Sequence, residues 1–300
     1  MRFDNTFKTL IKMNLKSGVI PMLLGEVGIG KSCFVESLAN EMDAEFFELS
    51  CNQLQDKKDV TGNALSTVKE GHGTMKFPVH NIITAAVCQA NETPDKGVLL
   101  FLDEINRTTP EVTSELLSIP TRRKIGDLHV PKNLRIIIAA NDRGHIAILD
   151  EASISRFVLY YVEPDLDTFI KVNPTLNKIV HDVLKADPSL LLCKEEKKKA
   201  VATAEEIYTV DRMKQVTTPR TISNLSIFLN GCSQKDFRFL NSEKSEMYPN
   251  ISLLYEVMVG HTGDTRFTRA VYKSLLMSLN SKPIVQQKAD ENSKKLVAAS

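Results

Sequence analysis

An α/β fold on a parallel sheet, followed by a smaller all-α domain, is what this sequence predicts. Three observations carry the prediction. Five short apolar runs alternate with helix-length stretches, the pattern of a parallel sheet covered on both faces. A glycine-rich loop, Gly25-Glu26-Val27-Gly28-Ile29-Gly30-Lys31-Ser32, joins the first such run to the first helix. After Glu163-Pro164-Asp165 the strand signals cease and amphipathic helical periodicity takes over.

The expected strands are Ile20–Leu24, Phe46–Leu49, Val98–Leu102, Arg135–Ala140 and Val158–Val162, near-continuous apolar runs suited to burial on both faces. Helices are expected at 33–42, 79–90 and 110–119; Thr109-Pro110 opens the last with proline at the first helical position. Two stretches fit neither pattern. Residues 61–78, with Gly71-His72-Gly73 at their centre, suggest a hairpin. So do residues 121–131, with Arg122-Arg123-Lys124 at the base and Gly126-Asp127 at the tip. Each is either an idle surface loop or a functional insertion.

The second domain is expected to hold helices near 166–186, 194–214, 219–231, 250–259 and 264–279, separated by Pro, Gly and Asn-rich breaks. The predicted organisation is therefore 1–164 for the α/β domain, 165–280 for the helical domain and 281–300 for a polar, flexible tail.

Bulk properties narrow the function classes. With 38 Lys and Arg against 37 Asp and Glu, no global charge points to nucleic acid or an anionic membrane. No apolar stretch reaches bilayer-spanning length, and the first residues have no signal-like apolar core. Five scattered cysteines form neither a metal-ligand spacing nor a disulfide framework. They read as reduced, mostly buried thiols of a cytoplasmic protein.

Two motifs carry chemistry. The loop Gly25–Ser32 has the G-x-x-x-x-G-K-[ST] spacing between strand and helix that cradles phosphates on successive backbone N–H groups. Lys31 supplies a point charge for the β- and γ-phosphates, Ser32 a hydroxyl for Mg²⁺, and Cys33 begins the helix whose positive end faces the nucleotide. The apolar strand ending in Asp103-Glu104 places two carboxylates at the sheet edge where open α/β sheets bind ligands. Asp103 suits Mg²⁺; Glu104, facing differently, suits deprotonation of an attacking water. Together they predict an ATP- and Mg²⁺-dependent ATPase.

Asn141 ends the strand beside this site and can bond a γ-phosphate or the attacking water, although asparagine is also a favoured turn residue. Arg156 stands just before the last strand. Arg220 follows Pro219 at a helix start, where a cation opposes the helix dipole and needs another reason to sit.

These residues carry a family resemblance. Gly25–Ser32, Asp59-Val60-Thr61-Gly62, Phe77-Pro78-Val79-His80-Asn81, Leu102-Asp103-Glu104-Ile105-Asn106-Arg107, Asn141, Leu149–Phe157 and Pro219-Arg220 occur in the order found in AAA+ ATPases. Within that class the chain resembles the MoxR-like group, related to the chelatase and dynein-related ATPases. The resemblance covers most of residues 18–231 and implies a phosphate-loop NTPase sandwich with an all-α lid. It makes Asn141 the γ-phosphate sensor, Arg156 an arginine finger and Arg220 a second sensor on the lid. An arginine finger acting on a neighbour's nucleotide implies a homo-oligomer, in this family a hexameric ring. It also implies a chaperone-like remodeller of a protein client, working with a partner that carries a von Willebrand factor A (VWA) domain. Two alternatives belong to other classes: a nucleic-acid-translocating motor, disfavoured by the neutral charge, and a nucleotide-gated scaffold with little turnover.

Overall fold

The computed structural model describes residues 1–62, 65–69, 72–76, 79–141, 154–193, 215–245 and 250–280; between 63 and 78 it describes only the backbone of two strands. The chain divides into two compact units, Met1–Thr168 and Phe169–Ser300.

The first unit opens with helix α1 (Asn5–Lys16), which lies outside the predicted elements. Asp4 caps it by accepting from the Phe7 N–H at 2.8 Å. Phe7, Ile11 and Leu15, spaced by four, form its buried stripe. Phe7 stacks on Phe34 with ring centroids 5.3 Å apart and meets Tyr160 edge-on at 5.4 Å, tying α1 to the core. That spacing of apolar residues is legible in the sequence and is the signal for this helix.

Strand β1 (Pro21–Leu24), helix α2 (Lys31–Glu41), β2 (Glu45–Ser50) and the short α3 (Lys57–Thr61) follow. Next come β3 (Leu65–Lys69), β4 (His72–Lys76), α4 (Asn81–Glu92), β5 (Val98–Asp103) and α5 (Pro110–Arg122). The unit closes with β6 (Lys124–Ile125), β7 (Leu128–His129), β8 (Leu134–Ala140) and β9 (Val158–Tyr161).

Five strands form one parallel sheet in the order β2-β5-β8-β1-β9, and each predicted strand is present. After β1 the chain crosses to the far edge for β2, leaving β8 and β5 to fill the centre. This arrangement sets the C-terminal ends of β1, β8 and β5 side by side. Val98–Leu102 are almost wholly buried, as their unbroken apolar run requires of a central parallel strand.

Both expected hairpins form, β3 with β4 and β6 with β7, each antiparallel. The tip of the first and its flanking Phe77-Pro78 lie outside the described residues. At the second, Arg122 and Lys124 are exposed. Arg123 is different: it ends α5 in the left-handed region (φ 51°) and its Nη1 donates to the Leu134 and Pro131 carbonyls at 2.8 and 3.4 Å. It clamps the entry to β8, which makes it structural rather than a free surface cation.

The cysteines correct an expectation. Cys51 and Cys193 are buried and Cys232 is half-buried, but Cys33 and Cys88 are exposed; all five are free thiols.

Helix α6 (Leu166–Val172) contains the boundary between the units, and α7 (Lys178–Ala186) follows in the second. The single helix expected over 166–186 is thus two, interrupted at Asn173-Pro174 because proline breaks the helical ladder. The second unit continues with α8 (Pro219–Gly231), α9 (Gln234–Ser242), α10 (Leu253–Thr262) and α11 (Arg266–Asn280). Helix α9 was not predicted; Ser233 and Asp236 form its capping box. The helix expected at 194–214 and the tail at 281–300 fall outside the described residues.

Candidate active site

The phosphate loop spans the gap between β1 and α2. Gly28 and Gly30 adopt φ of 76° and 98°, a region that side chains strongly disfavour, and Gly30 is the residue from which α2 starts. Val27 remains partly exposed, while Ile29 tucks into the core. Lys31, only 7% exposed, donates from Nζ to the carbonyls of Gly25 (2.7 Å) and Glu26 (3.0 Å) and to Asn141 Oδ1 (3.1 Å). A nearly buried ammonium needs such acceptors, and the three oxygens fix its head at the mouth of the loop.

At the end of β5, Asp103 and Glu104 diverge. Glu104 takes a left-handed backbone (φ 54°, ψ 39°), unusual for a residue with a side chain and costing roughly 1–2 kcal/mol. Its N–H donates to Asp103 Oδ1 at 2.8 Å, a contact that supports this turn. The twist directs the two carboxylates to different partners. Asp103 Oδ2 accepts from the Ser32 hydroxyl at 2.8 Å. Glu104 is held by three donors: Asn52 Nδ2 at 2.5 Å, Arg107 Nη1 at 3.2 Å and Asn141 Nδ2 at 3.3 Å.

Asn141 is therefore a bridge, accepting from Lys31 on one side and donating to Glu104 on the other. Its backbone is fixed too. Asn106 Nδ2 donates to the Asn141 carbonyl at 2.7 Å and Asn106 Oδ1 accepts from its N–H at 3.0 Å. This two-point pairing with a side chain continues the β8 ladder one residue past its end.

Burial pushes the Asp103 carboxyl above the usual carboxylate range, against the opposing pull of the Ser32 hydroxyl, the Glu104 N–H and the Lys31 charge. Glu48 on β2, beside Ser32, is likewise pushed up by burial and by the nearby Asp103. The Ser32 hydroxyl and the Asp103 carboxylate are oxygen donors suited to a hard divalent cation. Ser32 and Asp103 would hold Mg²⁺ here, which takes one or two carboxylates together with substrate phosphates.

The structure thus brings Lys31, Ser32, Asp103, Glu104 and Asn141 to one edge of the sheet. Asn52, Asn106, Arg107 and Glu48 join them without having been assigned a role from the sequence. Cys33 is exposed on the first turn of α2. Arg156 is also exposed, but β9 begins level with Pro21, the end of β1 remote from the phosphate loop. Four residues of strand, roughly 13 Å, separate that level from the loop. Asp142 and Leu149–Ser153 lie outside the described residues.

Among models of known families, residues 21–157 match the AAA domain of the dynein-related subfamily. Residues 21–157 are an AAA domain. The match encloses every site residue gathered at the sheet edge. No curated protein matches the chain. Among solved structures, one described as "putative ATPase" from Cytophaga hutchinsonii is 18% identical, with a TM-score of 0.38 over 57% of this chain. The alignment spans about half (49%) of that structure's own length. Among the described residues, no helix is long and apolar enough to cross a membrane.

Arg220 belongs to the second unit. It occupies the second position of α8, exposed, and among the described residues it has no hydrogen-bond or ion-pair partner. The α8 capping box of Thr218 and Thr221 closes around it without involving its side chain.

Proposed function

We propose that this protein is a Mg²⁺-dependent, ring-forming AAA+ ATPase of the MoxR-like type that uses ATP hydrolysis to remodel a protein partner. The observation that carries the reading is the chain of contacts from Lys31 through Asn141 to Glu104, with Ser32 and Asp103 beside it.

The loop Gly25–Ser32 binds the phosphates through its N–H groups, with Lys31 turned to the β- and γ-oxygens. Ser32 and Asp103 would hold Mg²⁺, which would supply positive charge to the phosphates when bound. Glu104 orients a water and takes its proton as the γ-phosphate is attacked. Asn141, bonded to both Lys31 and Glu104, links the state of the phosphate to the base. Arg156, remote from its own loop, serves the nucleotide of a neighbouring subunit, so that sites form between subunits of a hexamer. Arg220 reads the γ-phosphate from the helical lid. Loss of that phosphate removes the partner of all three reporters, which is how turnover becomes mechanical work. A cytoplasmic VWA-domain protein is the expected partner, and the exposed Arg122 and Lys124 of the second hairpin are candidate client contacts.

Subunit mixing tests the shared site. Arg156→Ala and Glu104→Gln proteins should each be nearly inactive, the first losing on the order of 10³ in turnover. A co-assembled mixture should regain activity at interfaces where both intact residues meet. A mixture as inactive as its parents would refute the shared site. For the hairpin, Arg122→Ala with Lys124→Ala should preserve basal ATPase and reduce stimulation by the partner.

A further inference from the structure

Arg220 is exposed and among the described residues has no hydrogen-bond or ion-pair partner, yet the backbone that carries it is anchored at three points. Three residues earlier, Thr217 pairs with Cys193 through two backbone hydrogen bonds, both 3.1 Å. Thr218 and Thr221 exchange side-chain and backbone bonds around the helix start, and Thr221 Oγ1 also donates to the Val216 carbonyl at 2.9 Å.

The third anchor joins this segment to the turn between α10 and α11. Thr217, Thr262, Thr265 and Thr268 are all fully buried. Thr217 Oγ1 donates to the Thr262 carbonyl at 2.8 Å, so its short 2.6 Å contact with Thr265 Oγ1 has Thr265 as donor. Thr268 Oγ1 donates to the Gly263 carbonyl at 2.5 Å and lies 2.8 Å from Thr262 Oγ1 and 3.2 Å from Thr265 Oγ1. Every hydroxyl proton of the quartet has an acceptor, and no charged group takes part. Buried hydroxyls that find all their partners define one arrangement, because any slippage strands a donor or acceptor away from water.

Gly263 shows how close the two segments are. A Cβ placed there would lie 2.3 Å from the Gln215 carbonyl oxygen, and its φ of 77° excludes ordinary side chains as well. The turn therefore meets residues 215–217 both by backbone contact and through hydroxyls.

A cation at a helix N-terminus gains nothing from the dipole, so Arg220 itself adds no stability to the helix start that these threonines hold. We propose that the Thr262–Thr268 turn is the seat of Arg220, with Thr265 and Thr217 as positioning residues that hold its Cα where the guanidinium meets the nucleotide. The inference rests on Arg220 acting on the nucleotide as set out above, and the test separates the two ideas.

ATPase rates would be measured against ATP concentration for wild type, Arg220→Ala, Thr265→Val, Thr265→Ser and the Arg220→Ala/Thr265→Val double variant, with melting temperatures for each. Valine keeps the shape of Thr265 and removes its hydroxyl. Thr265→Val should lower kcat/KM about tenfold, short of the roughly 10²-fold that a 1 Å misplacement costs. The change should fall on the same parameter, kcat or KM, that Arg220→Ala alters. The double variant should be no worse than Arg220→Ala, and serine should restore wild-type behaviour. A purely structural role would lower the melting temperature without that non-additivity. Full additivity, or wild-type kinetics in Thr265→Val while Arg220→Ala is impaired, would overturn the seat and leave Arg220's role intact. Wild-type kinetics in Arg220→Ala would overturn the role of Arg220, and the seat with it.

Discussion

The sheet edge around Glu104 and the helix start around Arg220 are organised by opposite means. At the sheet edge the functional groups are themselves the scaffold. Lys31, Asn141 and Glu104 hold one another, and Glu104 takes two more donors from Asn52 and Arg107. At α8 the functional group has no hydrogen-bond or ion-pair partner among the described residues, and neutral threonines behind it do the holding. Charge organised by charge is sensitive to any change among its members, because a partner removed leaves another charge poorly compensated. A side chain held only through its backbone can be deleted without disturbing its surroundings. Substitutions at the first site should therefore alter both structure and turnover, whereas Arg220 itself should be separable.

The largest effect belongs to Lys31. Lys31→Ala removes the phosphate charge and also frees Asn141 Oδ1 and the Gly25 and Glu26 carbonyls. Binding of a fluorescent ATP analogue should be abolished. Retained affinity would show that the backbone N–H groups alone suffice and would weaken the picture of a charge-built site.

Next is Glu104→Gln. The amide keeps the shape, and its one oxygen can still accept from Asn141 on the side that also faces Arg107, so ATP affinity should stay near wild type. Single-turnover hydrolysis should fall by about 10²–10⁴-fold, the usual worth of a general base. Unchanged turnover would remove Glu104 from the mechanism.

Asp103→Asn is expected to separate stability from activity. Its carboxyl is held above the ordinary range, so between the unfolded value near 3.9 and the folded value the native state binds more protons than the unfolded chain. Asp103 therefore contributes stability that grows as pH falls through that window and imposes a cost at neutral pH. Asn removes both: we expect stability at pH 7 to rise by on the order of 1 kcal/mol and Mg²⁺-dependent turnover to be lost. Denaturant unfolding across pH, compared with wild type, gives the sign directly. A destabilised variant would mean that the Ser32 bond outweighs the burial.

The smallest structural effect should come from Arg220→Ala. Removing a cation from the first turn of α8 relieves its opposition to the dipole, so stability should be unchanged or higher by about 0.3–1 kcal/mol. Turnover should nonetheless fall. A clear loss of stability would show that Arg220 is a structural residue and erase the contrast between the two regions.

Much of this was legible along the chain. The phosphate loop, the apolar strand ending in Asp103-Glu104 and the helix opened by Pro219-Arg220 are contiguous, so local spacing reveals them. Helix α1 was legible as well, through Phe7, Ile11 and Leu15 at intervals of four. Asn52 was not. It follows β2, the strand nearest to β1 in sequence, but the sheet puts β2 beside β5. Only that crossover brings its amide to Glu104. Arg123 shows the converse: three consecutive cations look alike in sequence, and only the left-handed end of α5 turns the middle one inward to the β8 carbonyls.

The sequence by itself determined the parallel α/β class, the phosphate loop and the paired carboxylates, because strand burial and loop geometry are encoded by neighbouring residues. Tertiary structure decided which asparagines flank Glu104, that Arg156 precedes a strand starting level with Pro21, away from the phosphate loop, and that Thr217 meets Thr262, Thr265 and Thr268 behind Arg220. Those depend on strand order and helix packing. Both are settled by burying apolar faces across the whole unit, and no local spacing records them.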